Sequence, residues 1–110
     1  MERVLYPADP DDPGYALWQR DMCGATGLFG VVLKPGPSEA HFHAFIDGMQ
    51  LFGRGYSWGG FESLLVPSAP ERSVAPQPPT GYMFRISAGL EDVKDLIADL
   101  DAGLARLRGA

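Results

Sequence analysis

Val93, Leu96, Ile97, Leu100, Leu104 and Leu107 recur with the 3.6-residue period of an α-helix, and Asp92 stands immediately before them as an N-cap. A helix with one apolar stripe needs a second layer to cover it. The rest of the chain must therefore supply that layer. A second stripe runs through Phe42, Phe45, Ile46, Met49 and Phe52 at i, i+3, i+4, i+7 and i+10, with Ser38 as its N-cap and Gly53 at its end.

Short β-branched and aromatic runs provide the strands. Arg3–Tyr6 is closed by Pro7, and Leu28–Leu33 is apolar almost throughout, as expected of a strand buried on both faces. Phe61–Val66 reads as a strand ended by Pro67. Tyr82–Ser87 places Tyr82, Phe84 and Ile86 on one face and Met83, Arg85 and Ser87 on the other, until Gly89 breaks it. Asp12 before Pro13 fits the cap of a short helix to Arg20, with Tyr15 and Trp18 on one face. From Pro67 to Thr80 the chain carries five prolines and reads as a loop or arm without a core. The resulting order, β-α-β-α-β-β-α, is that of a small sheet with helices packed against it, an α/β (α+β) fold.

A chain of 110 residues is expected to form a single domain over 1–110, and 45% hydrophobic with 21% charged residues is an ordinary globular balance. Fourteen acidic against nine basic side chains give a net charge of -5, with no basic run, which argues against nucleic acid as a partner. Cys23 stands alone, so no internal disulfide forms, and it is expected as a small buried hydrophobe. No signal peptide and no apolar stretch of about 18 residues is present, so a soluble cytoplasmic protein is expected, with no membrane partner.

Gly55-Tyr-Ser-Trp-Gly-Gly-Phe-Glu-Ser-Leu64 combines backbone freedom with hydroxyl and aromatic groups, and it is the first place to seek function. Other chemistries fit less well. His41 and His43 are two apart near the start of a helix and point to different faces, so no metal site is expected. Ser57 and Ser63 lack a nucleophile elbow, and the glycine runs miss both phosphate-loop spacings, so no catalytic residue is assigned. Arg85, in the middle of an apolar strand, is either a rigid fork for a carboxylate or an arginine on the solvent face of an edge strand. Ser57 and Trp58 are either site residues or a turn serine and an indole closing the core.

Arg3-Val-Leu-Tyr-Pro7, Trp18-Gln-Arg-Asp21, Gly27-Leu-Phe-Gly30, Gly55–Leu64 and Arg85-Ile-Ser-Ala-Gly-Leu-Glu-Asp92, in this order, resemble the pyridoxal-phosphate enzymes of cysteine and methionine metabolism, closest to their bacterial cystathionine β-lyase branch. The resemblance covers nearly the whole chain but only the C-terminal domain of such an enzyme. It implies a small, mostly antiparallel sheet of about four strands with helices on one side, as in the fold-type I transferases. It further implies that Arg85 grips the α-carboxylate of an amino-acid substrate and that Ser57 and Trp58 line the same pocket. Trp58 after Ser57 favours the β-lyase branch over the γ-synthase and γ-lyase branches. The cofactor, pyridoxal 5'-phosphate, belongs to the large N-terminal domain of the family; Lys34 and Lys94 do not match its lysine, so no cofactor-binding residue is assigned here. In the intact enzyme the cofactor is an electron sink for the cleavage of cystathionine to homocysteine, pyruvate and ammonia. This chain by itself is expected to be inactive, with the N-terminal domain as its partner. The alternatives are a non-catalytic association module derived from this family, for which a homo-oligomer is plausible, and the same domain of a γ-synthase- or γ-lyase-type enzyme.

Overall fold

The structure, a computed structural model, describes residues 1–71, 73 and 81–109. Its elements are β1 (Arg3–Leu5), α1 (Tyr15–Asp21), β2 (Leu28–Val32), α2 (Glu39–Asp47), β3 (Leu64–Ser68), β4 (Met83–Ser87) and α3 (Val93–Leu107), the expected order. All three strand pairings are antiparallel and the sheet order is β1-β2-β4-β3. β4 is therefore a central strand, flanked by β2 and β3.

Cross-strand partners share a face, so the register sorts the sheet into two sides. Val31 with Phe84, and Phe29 with Ile86 and Leu65, point to one side. There α2 and α3 cover them: Phe42, Phe45, Ile46, Leu96 and Leu107 join Val31, Leu65, Phe84 and Ile86 in one buried cluster. Phe45, 0% exposed, packs its ring 5.0 Å from that of Phe84. Gly103 lets α3 approach, since a Cβ there would meet the Phe45 ring at 2.8 Å. On the opposite side Arg85 lies in register with Gly30 and Val66.

Two caps form as the sequence implies. The Ser38 side chain accepts from His41 N at 3.2 Å, and Asp92 Oδ1 accepts from Lys94 N at 2.8 Å. The second stripe is cut short, however: α2 ends at Gly48, leaving Met49 and Phe52 beyond the helix although Phe52 is still buried. The reason lies in α3. Asp99, 7% exposed, accepts hydrogen bonds from the backbone N–H groups of Gln50, Leu51 and Phe52 at 2.7–3.2 Å, which turns the chain away from the helical path. Burial alone would push the Asp99 carboxyl up, but these donors and the nearby Arg106 outweigh it and hold the group below the usual carboxylate range. Arg106 meanwhile donates to the carbonyls of Ala44 and Phe45 at 3.2 and 3.0 Å, capping the last turn of α2.

Other expectations need correction. The α3 stripe is wider than what it buries: Val93 and Ile97 are exposed, whereas Asp99 and Gly103 are buried in their place. Asp12 is not the N-cap of α1; Gly14 is, while Asp12 accepts from Tyr6 N and Gly14 N and closes the preceding turn. Tyr15 and Trp18 do share a face, stacked at 5.7 Å. Pro67 does not end β3 but sits inside it, which an edge strand tolerates because the missing N–H faces no neighbour. Cys23 is exposed, in the irregular segment that follows α1. Of the proline-rich stretch, residues 72 and 74–80 lie outside the described residues.

Candidate functional site

The antiparallel register brings the start of β2, the start of β3 and the end of β4 to one edge of the sheet: Leu28 and Leu64 both pair with Ser87. The two longest motifs therefore meet there. Residues 54–62, which lead into β3, form no helix or strand, so contacts with the segment from Arg85 to Glu91 set their path. Gly59 N donates to Ser87 Oγ at 3.1 Å, and Leu90 N donates to the Phe61 carbonyl at 2.9 Å. Gly89 permits this crossing: a Cβ there would collide with the backbone of Phe61, Glu62 and Ser63. Of the glycines in this loop only Gly59 uses a positive φ, 82°.

Arg85 is half-buried on the central strand, which rules out the edge-strand position. Its Nη2 donates to the Tyr56 carbonyl and, at a longer 3.4 Å, to that of Ser57. Its Nε is buried with no hydrogen-bond partner, and among the described residues no carboxylate pairs with the guanidinium. Among the described residues the charge is thus held in place by loop carbonyls and paired with no carboxylate. Trp58 does not close the core; it is 61% exposed, beside an exposed Tyr56 and an exposed Phe61. Ser57 is also exposed. The structure brings the Ser57 backbone to Arg85 and leaves the Ser57 and Trp58 side chains facing outward.

Two residues of this constellation were missed in the sequence. Ser63 is 1% exposed and its Oγ donates to Glu91 Oε2 at 2.6 Å while accepting from Gly89 N at 2.8 Å. Ser63 N donates to Glu91 Oε1 at 3.2 Å. The Ser63 hydroxyl, with backbone donors, holds the Glu91 carboxyl below its ordinary range. Only the coincidence of a small polar residue at the mouth of a strand and an acid just past a glycine could have signalled the pair.

Other candidates lie elsewhere. His43 approaches Glu39 at 3.9 Å on the exposed face of α2, and His41 is exposed on the same helix. A cavity of about 350 Å³ lies between the end of α2 and β3, lined by residues that include Met49, Phe52, Arg54 and Leu65, none of them part of the Arg85 cluster.

Residues 1–105 match the sequence family described as Cys/Met metabolism PLP-dependent enzyme. The chain belongs to this family. Cystathionine β-lyase of Salmonella typhimurium is 46% identical over 97% of the chain, and L-alanine/L-glutamate racemase of Wolbachia pipientis is 43% identical over 97%. Cystathionine γ-synthase of Xanthomonas oryzae pv. oryzae, solved in complex with cystathionine, superposes with a TM-score of 0.81 at 33% identity over 98% of the chain. The four-stranded sheet with helices on one side is thus the fold of a family portion. The chain spans 28% of the Salmonella protein, 27% of the Wolbachia protein and 29% of the Xanthomonas chain.

Family membership raises the question of pyridoxal phosphate. That cofactor requires a lysine amine beside an anion cradle. The lysines here are Lys34 and Lys94, both exposed: Lys34 follows β2 at the end of the sheet away from Ser87, and Lys94 lies in the first turn of α3 with its backbone bonded to Asp92. The described residues do not fit the cofactor as a set.

Proposed function

We propose that this chain supplies the substrate-carboxylate wall of a cystathionine β-lyase-like enzyme, with Arg85 as the gripping residue and Ser57 and Trp58 lining the same pocket. The observation that carries this reading is the Arg85 guanidinium: fixed on a central strand, steadied by two loop carbonyls, its Nε buried and unpartnered, and without a described carboxylate. A half-buried guanidinium left in that state is set up for a carboxylate from outside, which can take two parallel N–H···O bonds from its fork. Ser57 offers a hydroxyl at the rim, and Trp58 an indole that excludes water once the site closes.

The spread of relatives supports the same assignment. A lyase, a racemase and a γ-synthase share this portion, although their names describe different reactions. Amino-acid substrates have the α-carboxylate in common, so a shared wall that binds it suits all three. The branch therefore rests on Trp58 after Ser57 and on the greater likeness to the Salmonella β-lyase, 46% identical against 33% for the γ-synthase, with the racemase between them at 43%. Pyridoxal phosphate, carried by a lysine-bearing N-terminal portion, supplies the electron sink for the chemistry. This chain holds and orients the substrate, acts as one domain beside that portion in a cytoplasmic enzyme, and is inactive alone.

A chimera tests this. The 110 residues replace the aligned segment of the Salmonella enzyme, and cleavage of cystathionine is measured. Activity is expected in the chimera and absent from the isolated chain; a folded, cofactor-loaded chimera that turns over no cystathionine contradicts the proposal.

A further inference from the structure

The loop that carries Ser57 and Trp58 has no regular structure of its own, and the side chains of Tyr56, Trp58 and Phe61 are exposed. Its position over Arg85 is inherited from a few anchors. Three of them rest on backbone groups of the loop: the Tyr56 and Ser57 carbonyls on Arg85, Gly59 N on Ser87, and the Phe61 carbonyl on Leu90. The fourth is different in kind. Glu91 uses both carboxylate oxygens on Ser63, one for its N–H and one for its hydroxyl, while that hydroxyl also accepts from Gly89 N. Charge-assisted bonds are shorter and stronger than neutral ones, and the 2.6 Å separation places this one in that class.

A buried hydroxyl at the mouth of a strand is a poor choice for packing alone, where an alanine or a valine would fill the space without a polar group to satisfy. Its bonds tie the residue that follows the loop to the turn after β4, 26 and 28 residues away in sequence. β4 carries Arg85, and the loop carries Ser57 and Trp58. The tie therefore fixes the distance between the two halves of the proposed pocket.

We propose that Ser63 and Glu91 are positioning residues, which set the Ser57–Trp58 loop over Arg85 without touching the substrate; this rests on the carboxylate-wall reading. A contact made equally in the ground state and the transition state shows its loss in KM and leaves kcat unchanged. In the chimera, Ser63→Ala and Glu91→Ala should raise KM for cystathionine by about five- to twentyfold with kcat within about twofold. Glu91→Gln keeps the length and one acceptor oxygen, so its KM should fall between parent and Glu91→Ala. It also serves where Ser63→Ala fails to fold, because Glu91 is only half-buried. In the isolated chain, amide ¹⁵N relaxation at Trp58 should report greater motion in each variant, in the order Gln below Ala.

With Arg85→Ala effective in the chimera, variants at Ser63 and Glu91 that leave KM at the parental value overturn the proposal, whether or not the loop loosens. Parental relaxation at Trp58 overturns it as well. Looser Trp58 in the isolated chain together with a silent Arg85→Ala supports the anchoring and sinks the carboxylate wall instead.

Discussion

β4 presents two chemistries on its two faces. On one, Phe84 and Ile86 are sealed under α2 and α3. On the other, Arg85 lies under a loop whose aromatic side chains face solvent. The charges near each face differ in the same way. Asp99, on the helix side, has three backbone N–H groups on its carboxylate and Arg106 nearby, so its valences are filled from within the chain. Arg85 has two carbonyls on one nitrogen and an unpartnered Nε. A completed charge builds a fold, whereas an incomplete one is kept at a cost that folding does not repay; under the proposed function a substrate carboxylate is what completes Arg85.

This contrast predicts where mutations act. Phe45→Ala removes a ring with no exposure from the helix-covered side and should cost about 3 to 5 kcal/mol in chemical denaturation. Asp99→Ala leaves three loop donors without their acceptor and should cost about 2 to 3 kcal/mol. Its pH dependence has a definite sign. Because the folded Asp99 carboxyl is held below its usual value, its contribution is present in full above the unfolded pKa of about 4 and is lost as pH falls through the folded value. Asp99→Asn should flatten that part of the acid limb of the stability profile; a limb as steep as that of the parent would show that Asp99 is not the group responsible.

Trp58→Ala belongs at the other extreme. Its indole is 61% exposed, so the change should alter stability by less than about 0.5 kcal/mol. A loss comparable to that at Phe45 would erase the distinction between the two sides.

The sequence carried most of the fold because its signals were local. The Phe42–Ile46 and Leu96–Leu107 stripes, the Ser38 and Asp92 caps and the period-two pattern of β4 each needed only neighbours along the chain. What could not be read was non-local. The early end of α2 comes from Asp99, on a helix some fifty residues on, and the tolerance of Pro67 comes from the edge position of β3. Val93 and Ile97 match the helical period yet stay exposed, because periodicity marks a face without saying whether a neighbour covers it. The proposed site was read from motifs alone; the structure brings the Ser57 backbone to Arg85 and leaves the Ser57 and Trp58 side chains exposed. The Ser63–Glu91 tie was not legible, since neither residue is unusual until β3 and β4 are paired.

The most direct test is Arg85→Leu, measured as KM for cystathionine in the chimera with the Salmonella enzyme, alongside the unfolding midpoint of the isolated chain. Losing a hydrogen-bonded charge pair in a closed site should remove about 2 to 5 kcal/mol of recognition, a rise of roughly thirtyfold or more in KM. The isolated chain should be as stable as the parent or more so, because an apolar side chain replaces a half-buried guanidinium that no described carboxylate neutralises. Unchanged kinetics combined with a lower unfolding midpoint would show that Arg85 completes the fold rather than the substrate site.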